Sequence, residues 1–151
     1  TVLTALKGLG MYWLVNFAVT WLVLSIDPEF GNVNDQSIGT MLGEYPLLMT
    51  LCVIFAAPLA EECLFRGWMF TGLAKRSLPL AYAVTCGFFS AAHVVGAIGE
   101  LATLSLILCF IQYLPAGIAL GFVYQRTGNI IGPMLLHFFI NFIGSLATFG
   151  L

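Results

Sequence analysis

Two adjacent carboxylates, Glu61 and Glu62, stand well inside an apolar run, and Arg66 follows four residues after the second. His93 lies inside another apolar run, and His137 and Asn141 lie inside a third. Ionisable groups at membrane depth cost several kcal/mol unless paired or hydrated, so each is a candidate functional group. Helical spacing separates their roles. Glu62 and Arg66 are i and i+4 with the acid N-terminal, the favourable orientation for an intrahelical pair. A buried Arg needs such a partner, so these two are expected to form a structural ion pair. Glu61 is rotated about 100° from Glu62 around the helix and has no partner on its own helix. A carboxylate left over in this way is a general-base candidate. His137 and Asn141 are also i and i+4, which sets two hydrogen-bond donors on one face, and Phe89 and His93 repeat the spacing in the preceding run.

The elements that must position these groups follow from composition. The chain has 151 residues, 60% hydrophobic and only 8% charged, with mean hydropathy +1.01. Soluble domains carry roughly 25% charged residues, so a soluble enzyme and a disordered tail are excluded. Five Lys+Arg against seven Asp+Glu leave no basic patch for a nucleic acid. The expected fold is all-α: a single polytopic transmembrane helix bundle over 1–151, integral to the lipid bilayer. A bilayer needs about 20 mostly apolar residues per helix, and five segments qualify, near 2–26, 46–73, 79–98, 101–125 and 130–149. The first is too long for a signal-peptide core and reads as a span. The stretch Asp27–Glu44 reads as a long polar loop at the interface or surface.

With a rise of ~1.5 Å per residue, Glu61 lies roughly 21 Å along its helix from Lys75, and His93 roughly 25 Å from Arg76. His137 and Asn141 lie roughly 16 and 22 Å from Arg126. All four therefore share one slab of the membrane from three helices. A lone buried His can simply bond a carbonyl; four polar groups at matching depth are more economically explained by a shared site. Lys7, Lys75, Arg76 and Arg126 alternate with acidic connections, which predicts a cytoplasmic N-terminus, in the cell membrane if the source is prokaryotic. Cys52, Cys63, Cys86 and Cys109 form no CxxC pair and read as small buried hydrophobes. Gly117 and Gly121 form a GxxxG that allows close helix approach within or between chains, leaving the oligomeric state open. Pro115 should kink the same helix.

Glu61-Glu62-Cys63-Leu64-Phe65-Arg66 fits EExxxR, Phe89 to His93 fits FxxxH, and His137 to Asn141 fits HxxxN. In that order, on successive apolar segments, they resemble the three motifs of the CPBP family, which comprises type II CAAX prenyl proteases and bacteriocin-processing Abi proteins. The resemblance covers about 45–149 as a catalytic core, in a chain shorter than the eight-span members. It implies a hydrolase, an intramembrane glutamic-type endopeptidase, acting on a peptide or protein substrate of the prenylated CAAX type or another hydrophobic kind. Carried over, Glu61 and His93 would activate water, and His137 and Asn141 would stabilise the oxyanion, each donor being worth roughly 3 kcal/mol. Phe89 would be a packing residue of its motif. No cofactor is expected. Zinc held by Glu61, His93 and His137 is the less favoured alternative, since there is no HExxH pair and Asn is rarely a zinc ligand. A non-catalytic bacteriocin-immunity or peptide-binding membrane protein is the reading from a different class. A proton or ion path is disfavoured by the short chain without repeats.

Overall fold

The computed structural model describes residues 1–148, which form six helices. These are α1 (Val2–Ile26), α2 (Val33–Glu44), α3 (Pro46–Ala74), α4 (Leu78–Ala97), α5 (Thr103–Thr127) and α6 (Ile131–Thr148). Helices α1, α3, α4 and α5 are long and apolar enough to cross a membrane, while α6 is apolar over the shorter Ile131–Ala147. The molecule is a multi-pass helical membrane bundle, with the expected segments in the expected order. Residues beyond 148, including the last of the fifth expected segment, lie outside the described residues.

Helix α5 is the axis, packed by α1, α4 and α6. Its buried side includes Ala116, Ala119, Leu120 and Val123, which join Phe65, Phe89 and Leu136 in the core. Outward-facing Leu14, Phe17 and Trp21 leave α1 with an apolar surface, as lipid contact requires. The GxxxG of α5 packs within the chain. A Cβ on Gly117 would stand 3.2 Å from the Cα of Cys86, and one on Gly121 would stand 2.9 Å from the Tyr82 ring, so both glycines admit α4 at close range. Gly128 ends α5 at φ 63° and its N–H bonds the Tyr124 carbonyl, a left-handed cap that glycine adopts without a Cβ penalty.

Two expectations are corrected. The polar stretch read as a loop contains α2. Asn32 starts it, its side-chain oxygen accepting from the backbone N–H groups of Asn34 and Asp35 at 3.1 and 3.4 Å, and Asp35 adds a carboxylate in the first turn, where the helix dipole favours it. Pro46 ends it, because the residue before a proline is pushed out of helical geometry; Tyr45 has φ −131°, ψ 62°. The cysteines also divide: Cys86 and Cys109 are buried, Cys52 is half-buried and Cys63 is exposed. Cys63 directly follows Glu62, so the helix turn that buries the carboxylate turns the thiol outward.

Helix α3 is not a regular α-helix. It contains π-helical turns at Cys52–Ala56 and Cys63–Phe70, on either side of the α-helical stretch that carries Glu61 and Glu62. Pro58 explains the first. A proline clashes with the carbonyl four residues earlier and offers no N–H, and the helix widens so that the Ala57 N–H reaches the Cys52 carbonyl. In that register the next partner of the Val53 carbonyl would be Pro58, which has no proton to give. The carbonyl is left for another donor.

Candidate active site

The orphaned Val53 carbonyl is taken by Asn141, whose Nδ2 donates to it at 2.8 Å. One amide hydrogen of Asn141 is thus committed to a backbone position 88 residues away, and one remains. Asn141→Leu is expected to leave that carbonyl unpaired at a cost of about 1 kcal/mol. Pro58→Ala in the same background should recover stability by restoring an N–H. Thermal unfolding of the single and double variants in detergent measures this, and additive losses would rule out the coupling.

Glu62 and Arg66 are both fully buried, and Arg66 Nη1 donates to Glu62 Oε1 at 2.9 Å. Arg66 also donates from Nη2 to the Gly117 carbonyl at 3.0 Å, and its guanidinium lies 4.9 Å from the centroid of the Phe89 ring. The pair therefore ties α3 to α5 and α4. Spacing alone did not anticipate a third partner for Glu62: His137 Nδ1 donates to the same Oε1 at 2.9 Å. Phe89, 1% exposed, touches Arg66 and the rings of both histidines, so its packing joins the ion pair to the imidazoles.

Tautomers follow from these partners. The Nδ1 of His93 lies 2.8 Å from the Phe89 carbonyl, and a carbonyl only accepts, so that nitrogen carries the proton. The Nδ1 of His137 likewise faces a carboxylate. In the neutral rings both Nε2 atoms are therefore acceptors. Both sit 3.9 Å from Glu61 Oε2, and that oxygen has no hydrogen-bond partner among the described residues. A separation of 3.9 Å is one that a bridging water can span from the carboxylate oxygen to an imidazole nitrogen. Such a water can donate to both while keeping a lone pair for reaction.

These groups line one cavity of about 320 Å³. Glu61, His93, His137 and Asn141 all border it, so the four residues matched by depth do converge from three helices. Sequence reasoning missed its other polar wall, formed by Asn16, Asn32, Asn34, Asp35, Gln112 and Tyr113. The signal was available for Asn16 and Gln112, which are polar residues inside apolar spans. It was weaker for Asn32, Asn34 and Asp35 at the start of α2, which read as surface.

A tetrahedral zinc with ligands at about 2.0–2.1 Å needs donor atoms about 3.3 Å apart, closer than these 3.9 Å contacts. Among the described residues no group of three or more His, Cys, Asp or Glu is arranged to hold a metal ion. With some closure, Glu61, His93 and His137 are the residues that would do so.

Comparison with known proteins adds a family. Residues 43–143 match the family described as type II CAAX prenyl endopeptidase Rce1-like. The chain is 24% identical over 144 residues to UPF0177 protein YxdF of Lactococcus lactis subsp. lactis (strain IL1403), covering 94% of this chain and 75% of that protein. It is 37% identical over 99 residues to human CAAX prenyl protease 2, covering 58% of this chain and 30% of the human protein. No solved structure shows a significant match.

Proposed function

The chain belongs to the Rce1-like family of type II CAAX prenyl endopeptidases, and from that membership we propose that it is a metal-independent intramembrane peptidase in which Glu61 and His93 activate the attacking water. The observation that carries this is the orientation of the unpartnered Glu61 Oε2 toward two Nε2 atoms whose Nδ1 partners are already occupied.

Charge counting supports it. Arg66 and Glu62 cancel. The remaining trio is neutral when it holds one mobile proton, either on Glu61 with both imidazoles neutral or on one imidazole with Glu61 ionised. Net charge is the same in either form, so moving the proton within the trio leaves no uncompensated buried charge. The water oxygen attacks the scissile carbonyl carbon as one of its protons moves to Glu61. The tetrahedral oxyanion is held by the spare N–H of Asn141 and, when His137 is protonated, by its Nε2–H. Glu61 then returns the proton to the amide nitrogen, the C–N bond breaks, and a carboxylic acid and an amine leave, ionising to carboxylate and ammonium in water. Glu62 and Arg66 act through His137, fixing its ring by the Nδ1 bond. Phe89 supports both imidazoles.

The substrate class that fits is a peptide or protein with hydrophobic character, and the family name favours a prenylated CAAX terminus. The alternating loop charges favour a cytoplasmic N-terminus. A second reading, zinc catalysis, draws on one observation: each histidine bonds an acceptor through Nδ1 and presents Nε2 inward, as zinc-bound imidazoles do. A test incubates the detergent-solubilised protein with farnesylated CAAX peptides and unmodified hydrophobic peptides, with products mapped by mass spectrometry. Cleavage is expected to survive exhaustive chelation. Loss on chelation with recovery on adding zinc would transfer Glu61, His93 and His137 to the metal reading. Binding of these peptides without cleavage under any condition would favour a peptide-binding protein.

A further inference from the structure

The His93 imidazole is held at both nitrogen edges and by two aromatic rings. Its Nδ1 edge bonds the Phe89 carbonyl and its Nε2 edge faces Glu61. One face meets the Phe89 ring at 4.6 Å between centroids, tilted 44°. The ring also stacks on Tyr113, 4.3 Å between centroids and only 27° from parallel. A hydrogen bond to a carbonyl tolerates a broad range of angles, so Nδ1 alone cannot fix where Nε2 points. The two ring contacts remove that freedom.

Tyr113 is itself anchored from outside its helix. Its hydroxyl donates to Asp35 Oδ1 at 2.7 Å and accepts from Asn34 Nδ2 at 2.9 Å. The adjacent Gln112 accepts from Asn32 Nδ2 at 2.9 Å, and the other end of the Asn32 amide starts α2. The first turn of α2, one wall of the cavity, is thus fastened to the ring that lies against His93. A phenol needing only to satisfy its own hydroxyl requires one partner; this one is gripped by a donor and an acceptor on the same helix. Donation to a carboxylate also enriches the ring in electron density, which strengthens stacking against an imidazolium.

We propose that Tyr113 is a positioning residue: its ring holds the His93 imidazole so that Nε2 faces Glu61, and its hydroxyl ties that ring to α2, so that seating of α2 beside the cavity and alignment of His93 occur together. The proposal rests on the Glu61–His93 reading above and names the element that controls it.

The test uses the fact that the chain has only two histidines. Isotope labelling of histidine gives two sets of ring signals in the detergent-solubilised protein, assigned with His93→Gln. Tyr113→Leu is expected to shift the His93 ring signals downfield, as the ring current is lost, and to lower kcat for peptide cleavage by roughly 100-fold, the scale of a 1 Å misplacement. Tyr113→Phe keeps the stack and loses the tether. It should restore the His93 signals and most of kcat while raising KM, and Asp35→Ala should raise KM to a smaller extent, because Asn34 and the Asn32 Oδ1 at 3.2 Å remain partners of the hydroxyl. Should Tyr113→Leu fail to fold, Tyr113→Met removes the stack with similar volume. Unmoved His93 signals in the Leu or Met variant would overturn the proposal, whatever the fate of the Glu61 assignment. Shifted signals in a protein whose Glu61→Gln variant still cleaves would uphold the Tyr113 contact and overturn the Glu61 assignment instead.

Discussion

Glu61→Gln is expected to lower kcat by roughly 10²–10⁴-fold, the usual contribution of a general base, while the protein folds as before. The substitution conserves shape and removes the negative charge and the proton-accepting oxygen. Stability should hold, because a glutamine amide fills the same space and supplies a donor toward the two Nε2 atoms that face Oε2. Mass-spectrometric product counting on a farnesylated CAAX peptide, with thermal unfolding in parallel, measures both halves. The decisive comparison is Glu62→Gln, which should act mainly on stability. A folded, inactive Glu62→Gln beside an active Glu61→Gln would reverse the two roles.

Arg66→Met carries the largest expected stability effect. Both partners of the Glu62–Arg66 pair are fully buried, and removing one leaves the other as an uncompensated charge, which typically costs about 3–5 kcal/mol. The loss also breaks the bond to the Gly117 carbonyl, loosening α3 from α5. Glu62→Gln combined with Arg66→Met should be less destabilised than Arg66→Met alone, since no lone charge remains. Denaturation midpoints in detergent decide this. An additive double variant would mean that the two side chains do not depend on each other, despite their 2.9 Å contact.

Helix geometry accounts for how much of the site could be read in advance. A separation of four residues on one helix is a distance, and it brought Glu62 to Arg66 on paper as it does in space. Adjacent residues point about 100° apart, so Glu61 had to face elsewhere. The spacing of His137 and Asn141 put them on one face, and both do reach the cavity. What spacing could not supply was where their polar atoms are spent. Asn141 gives one hydrogen to Val53 because Pro58, on a different helix, withholds its own. His137 spends Nδ1 on Glu62, 75 residues away.

The chain's own order of residues thus determined that this is an apolar multi-pass bundle, that its buried polar groups fall at one depth, and that one of two neighbouring glutamates is paired locally. Those features depend on hydropathy and on the repeat of a single helix, which are local quantities. Tertiary structure decided which atoms face one another: the two Nε2 atoms toward Glu61, the GxxxG against α4 within the chain, and Tyr113 on the face of His93. It also decided that the polar segment after α1 is a helix, since Asn32 caps it while its amide is held by Gln112. Such contacts join residues far apart in the chain, and they exist only once helix packing has brought the faces together.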